Sequence, residues 1–233
     1  SNRKLIMLSS LWLDAKRRWW MRKEVREPLR TVLHAGHPSP RTPVADTKII
    51  AVDLELTGLD PATDQIVSIG WVPVIEGSVR LAQARRVFVQ IQGSVSESAT
   101  VHGIVDASLH TAISLKEALN PLLQDMKRSV LVAHHAPIEQ GFLNAACRQC
   151  FGAPLLVPII DTVPLGQRLI ERGARSASDS DLGLEAQRRR FHLPPYPAHD
   201  ALTDAVATAE LFLAQCARLR GSDPDVPLSV VLR

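Results

Sequence analysis

The run Ile49-Ile50-Ala51-Val52 ends in Asp53-Leu54-Glu55, and this ending constrains the fold more than any other stretch. Four consecutive apolar residues, three of them β-branched, predict a buried strand. Side chains two apart on a strand share a face. Asp53 and Glu55 therefore point the same way at the end of an apolar element. Two carboxylates so placed repel each other and lose water. Either that strand end is frayed and solvated, or a positive charge holds both acids, and a divalent cation is the usual compensation.

The elements that follow define the class. Leu59-Asp60-Pro61 ends the first strand, and strand signals recur at Gln65–Ile75 and Val79–Ile91 around the turn Glu76-Gly77-Ser78. They predict a three-strand antiparallel meander. The period then changes. Leu115, Ala118, Leu119, Leu122 and Leu123 have helical spacing, with Ser114 and Glu117 forming a capping box. Strands at Val130–Ala133 and Val157–Ile160 alternate with helices at Pro137–Cys150, near 162–171, 181–191 and 200–219. A meander followed by alternating strand and helix implies an α/β domain with a mixed five-stranded sheet flanked by helices.

With 233 residues, 45% hydrophobic and 22% charged, the chain can bury a core, which excludes a disordered chain, a collagen and a disulfide-stapled miniprotein. Three cysteines give no disulfide framework and fit a reducing, cytoplasmic setting. Cys147 and Cys150 stand three apart on one helix face, which reads as core packing rather than zinc. No run reaches the ~18 apolar residues of a membrane span. Leu5–Leu13 is too interrupted, and too closely followed by charge, to read as a secretion signal.

Charge is unevenly spread. Residues 1–48 carry 11 basic and 4 acidic side chains, a net +7, whereas the remainder is −4. Residues 5–33 read as a basic helix with Leu5, Leu8, Trp12, Trp19 and Val25, followed by a linker containing Gly36, Pro38, Pro40 and Pro43. Such a helix either contacts a nucleic acid, a membrane or a protein partner, including a second copy, or packs its tryptophans on the body with its charges in water. The division expected is a basic extension over 1–45, a main domain over 46–220 and a tail over 221–233. Arg188-Arg189-Arg190 reads as a solvated helix end, and Arg85-Arg86 carries no clear message.

More acids sit at predicted element ends: Glu139 opens the helix after His134-His135, and Asp204 follows His199 by five residues at the start of the last helix. Oxygen-rich sets with few histidines suit Mg²⁺ or Mn²⁺. These segments resemble the DnaQ-like 3′–5′ exonucleases of the DEDDh branch, which include proofreading and RNase T types. Asp53-Leu54-Glu55-Leu56-Thr57-Gly58-Leu59 is similar to the first motif, and Val101-His102-Gly103-Ile104 to the short HGI segment. Leu131–Asn144 is similar to the second motif, Ile160-Asp161-Thr162 to an intervening strand end, and His199–Ala205 to His-x-Ala-x-x-Asp-Ala. The chain departs at His135 and Glu139, where the family has Asn and Asp; the longer Glu139 alters how a metal is reached.

The resemblance implies a ribonuclease H-like fold and metal-dependent hydrolysis at single-stranded DNA or RNA 3′ ends. The product is a nucleoside 5′-monophosphate, and DNA is favoured. It implies two divalent cations held by Asp53, Glu55, Glu139 and Asp204, with His199 as general base. It implies substrate contacts from Thr57, Gly58, Leu59 and His102. The alternatives are an RNA- or oligonucleotide-degrading enzyme on the same fold, or a catalytically weak binding module.

Overall fold

The structure, a computed structural model, describes residues 2–91, 111–172, 176–220 and 226–232. Its centre is the strand that carries Asp53 and Glu55. β1 (Ile49–Leu56) pairs antiparallel with β2 (Ile66–Ile75) and parallel with β5 (Val130–Ala133), and β5 pairs parallel with β6 (Ile159–Asp161). The third meander strand is broken: β3 (Ser78–Val79) and β4 (Arg85–Phe88) both pair with β2, separated by a 3₁₀ turn at Leu81–Gln83. The polar, partly exposed stretch from Arg80 to Arg86 has no continuous apolar face to hold one long strand. Counting both pieces, the mixed sheet has six strands.

Strand alternation divides the core in two. Ile50, Val52 and Leu54 face one cluster, with Ile69, Trp71, Leu131 and the helices α2 (Leu29–Ala35), α3 (Leu115–Asp125) and α4 (Ala136–Phe151). Ile49 and Ala51 face the other, with Val72, Val132 and the long helix α8 (Ala201–Arg220), through Ala209, Phe212 and Cys216. By the same alternation Asp53 and Glu55 belong to the α8 face. Each fully buried Leu or Phe contributes roughly 1.5–3 kcal/mol of transfer free energy, so both faces are firmly pinned. Trp71, fully buried, donates its indole N–H to Asp125 Oδ2 at 2.9 Å and ties α3 to β2. The Ser114–Glu117 capping box that starts α3 is present.

The remaining helices complete one flank: α5 (Thr162–Glu171), α6 (Asp179–Leu182), α7 (Leu184–Arg190) and α9 (Leu228–Val231). The single basic helix expected over 5–33 is instead α1 (Asn2–Trp20), a turn, and α2 beginning after Pro28. The glutamate-proline step Glu27-Pro28 disfavours a continuous helix. Val25, Leu29, Val32 and Leu33 then enter the first core cluster, while Val226, Leu228 and Val231 enter the second. Residues near the two ends also meet: Val44 N–H donates to Val226 O at 2.8 Å and Leu228 N–H to Thr42 O at 2.9 Å. Arg188 is not solvated. It is 2% exposed and donates to the carbonyls of Ala207 and Pro194 and to Glu210. Cys147 lies buried in the first core cluster, with Cys150 packed partly buried against it. Among the described residues no helix is long and apolar enough to cross a membrane.

Candidate active site

Asp53, Glu55 and Asp204 converge where β1 ends and α8 begins. Each offers a carboxylate oxygen, and the three atoms lie within 4.8 Å of one another. The first two acids come with the strand. The third needs the start of α8 to rest directly on the sheet, and Gly70 allows this. Gly70 is the β2 partner of Asp53, and a Cβ there would collide with the backbone of Ala201 and Leu202. A glycine inside an otherwise apolar strand is the sequence sign of such a close approach.

The loop before α8 is held by polar contacts. The backbone N–H of His199 donates to Asp204 Oδ2 at 3.0 Å, and His199 itself is exposed with φ +68°. Asp200 caps α8, its Oδ1 accepting from the backbone N–H and the hydroxyl of Thr203, both at 2.9 Å. Its other oxygen, Oδ2, pairs with the Arg86 guanidinium. Arg86 stands opposite Gly70, which stands opposite Asp53. One cross-strand row thus carries a site acid, the glycine that admits α8, and the cation that holds the loop.

Glu139 approaches from α4. It is 4% exposed, and its Oε2 has no hydrogen-bond partner among the described residues. Burial, followed by repulsion from Glu139, Asp204 and Glu55, pushes the Asp53 carboxyl well above its ordinary range. Burial pushes Glu139 up to about 8. Glu55 and Asp204 are raised by burial too, with His199 opposing the rise in both. Carboxyls raised in this way hold protons that a divalent cation displaces on binding. The three converging carboxylates are a hard-oxygen donor set and fit such a cation; Glu139, with its unpartnered oxygen, stands outside that group but close enough to repel Asp53.

Asp161 stands close enough to Glu139 to add to its rise. His135 caps α4 with φ +65°, a left-handed conformation that Asn, Asp and His tolerate best. Its N–H donates to Asp161 Oδ1 at 3.2 Å, and the same oxygen caps α5 through Val163 N–H at 2.9 Å. His134 Nδ1 lies 2.7 Å from the Thr162 hydroxyl; burial, then the neighbouring His135, pushes its pKa down to about 4.

The remaining predicted contacts lie after β1. Thr57 closes the turn, its hydroxyl accepting from Gln65 N–H at 2.9 Å and its own N–H donating to Gln65 O. Leu59 is 74% exposed. The space above Gly58 is taken by the Asp64 carboxylate, which a Cβ at Gly58 would meet. His102, with the HGI segment, lies outside the described residues. Sequence reasoning missed Gly70 and Arg86. Gly70 had a signal, a lone glycine in an apolar strand, whereas Arg86 had none, because its partner is 114 residues away.

Two carboxylates at the end of β1 and a third at the start of α8, with an exposed imidazole beside them, suit metal-dependent hydrolysis of a phosphodiester. The particular family follows from comparison with known proteins. Residues 50–212 match the RNase T exonuclease family, and the chain belongs to it. The chain is 32% identical over 174 residues to a DNA polymerase III subunit epsilon-like protein of Rhodobacter capsulatus, covering 74% of this chain and 24% of that one. It is 30% identical over 165 residues to a PolC-type DNA polymerase III of Thermotoga petrophila, covering 70% of this chain and 11% of that one. The chain therefore spans a quarter or less of these relatives. Among solved structures, the nuclease domain of 3′hExo, a DEDDh family member bound to rAMP, superposes with a TM-score of 0.63 at 15% identity, over 78% of this chain and 96% of that one. That likeness shows the ribonuclease H-like fold. The family depends on divalent cations, in keeping with the acid cluster.

Proposed function

We propose that the chain is a 3′–5′ exonuclease that removes nucleoside 5′-monophosphates from single-stranded 3′ ends, with DNA as the favoured substrate. The observation that carries this reading is the convergence of Asp53, Glu55 and Asp204, with Glu139 and His199 beside them. The DNA preference is supported by the polymerase-associated names of the sequence relatives.

Asp53, Glu55, Asp204 and Glu139 would hold two divalent cations, Mg²⁺ or Mn²⁺. Such ions supply charge neutralisation at the scissile phosphate and lower the pKa of the attacking water. His199 takes the proton of that water as its oxygen bonds to phosphorus. Its exposure lets it pass the proton on to solvent. The bond from phosphorus to the 3′ oxygen breaks, and that oxygen leaves on the shortened strand. Thr57, Gly58 and the exposed Leu59, in the turn that follows β1, would position the terminal nucleotide, together with His102.

The test is a 5′-labelled single strand incubated with protein and Mn²⁺, with Asp53→Asn as control and DNA and RNA strands in parallel. Shortening from the 3′ end, reduced about 10³-fold or more in the variant, is expected, because several kcal/mol of charge stabilisation are lost. Equal activity in the variant overturns the site assignment. Faster cleavage of RNA overturns the DNA preference.

A further inference from the structure

Helix α1 turns a face outward that the catalytic reading does not use. Arg17 fixes its orientation: Nε and one terminal nitrogen donate to Leu33 O at 3.0 and 2.6 Å, and the other donates to Asp14 Oδ1 at 2.6 Å. Leu13, Trp20 and Met21 pack against the first core cluster. The next stripe round the helix, about 100° from Leu13 and Trp20, faces solvent. It carries Leu11, Trp12 and Trp19, which are 60%, 59% and 51% exposed.

Cations are interleaved with these rings. Lys16 Nζ lies 3.4 Å from the Trp12 ring centre and Lys23 Nζ 5.0 Å from that of Trp19. Arg18 and Arg22 are exposed on the neighbouring flank, where they line a cavity with Leu33 and His34, and no acid occurs between Ala15 and Lys23. The indoles are seven residues apart, two helical turns or about 10 Å. The stripe also lies over α4, the helix that carries Glu139. A cavity of about 240 Å³ between α1 and the body is lined by both Trp12 and Gln140, and Gln140 follows Glu139 in α4.

We propose that this stripe is a second contact for single-stranded nucleic acid, binding the strand on the 5′ side of the end held at the active site. That the strand is the substrate rests on the exonuclease reading above; that the stripe binds a strand does not. Charge complementarity selects the occupant, because the leader is +7 on a body of −4, so a polyanion is drawn to α1. Exposed rings among cations are how sequence-tolerant single-strand sites are built: cations follow the backbone and bases stack on the rings. A helix that lies in a membrane surface separates its apolar and cationic faces, whereas here the lysines sit over the tryptophans.

The experiment uses the full chain with Asp53→Asn, so that bound strands are not cut. Anisotropy is read with 5′-labelled DNA of about five and about thirty nucleotides across a salt series. Replacing Lys16, Arg18, Arg22 and Lys23 together by Gln should weaken the long strand roughly 10–100-fold. The slope of log affinity on log salt should fall by about 2–3, near 0.7 per lost phosphate contact. Trp12→Ala with Trp19→Ala should cost about tenfold with little change in slope. The short strand should bind as before in both.

Unchanged long-strand affinity in both variants overturns the proposal, whatever the cleavage assay shows. Loss of co-sedimentation with phosphatidylserine vesicles, with strand binding intact, overturns it in favour of a membrane surface. If the unsubstituted chain shortens no strand but the variants still lose long-strand binding, the stripe stands and the catalytic reading falls.

Discussion

The floor of the site and its rim are held in opposite ways. Asp53 and Glu55 continue a strand that pairs with β2 throughout and with β5 as far as Ala51, behind Ile49, Ile50, Ala51 and Val52, all at most 1% exposed. Moving either acid means moving the centre of the sheet. His199 stands exposed on a proline-flanked loop with φ +68°, tied by its own N–H to Asp204 and by Asp200 to Thr203 and Arg86. The contrast fits the roles proposed for the two groups. Like charges held within 4.8 Å need a rigid frame, because any relaxation separates them. A group that moves a proton needs reach and contact with water.

The sharpest way to break this comparison is His199→Ala. Turnover should fall about 10²–10⁴-fold, the usual contribution of a positioned general base. Cation affinity, read by calorimetry, should stay near that of the unsubstituted chain. If affinity falls as far as turnover, His199 belongs to the floor and the division is wrong.

Gly70→Ala attacks the seam between the two regions. The added Cβ meets the backbone of Ala201 and Leu202, which cannot rotate aside as a side chain can. Helix α8 must lift, taking Asp204 with it. Overpacking of this kind costs about 1–3 kcal/mol, so the melting temperature should drop. Cation affinity and turnover should fall together, by roughly 10–100-fold. Gly183→Ala is the control, since a Cβ there meets nothing within 4 Å. Equal behaviour of the two variants would remove the close approach from the account.

The floor was legible in the sequence and the rim only in part, for a physical reason. Asp53 and Glu55 belong to one strand, so local periodicity and the apolar run before them fix their common face. Asp204 and His199 could be singled out by motif, but not the contact that seats them, because Gly70 lies some 130 residues earlier. Arg188 shows the limit of reading charge alone: three consecutive arginines read as a wet helix end, yet the first is buried against carbonyls and Glu210. The break in the meander at Leu81–Gln83 and the division of the leader near Pro28 were misread from continuous stretches whose interruptions are set by what they pack against.

Arg86 gives the finest division between floor and rim. Among the described residues its guanidinium pairs with Asp200 beside His199 and not with Asp53 or Glu55. If His199 is the base proposed above, Arg86 is a positioning residue. Both partners are partly exposed, so the pair contributes about 0.2–1 kcal/mol, and Arg86→Gln should lower kcat only about 2–5-fold. KM and cation affinity should not change. Asp200→Asn keeps a good helix cap but loses the charge, so it should match Arg86→Gln in kcat. The double variant should be no worse than either single one, because both remove the same contact. Additive losses would mean that the pair does not act as a unit. A fall in cation affinity in Arg86→Gln would mean that the clamp holds Asp204 as well as His199, and that the rim extends into the floor.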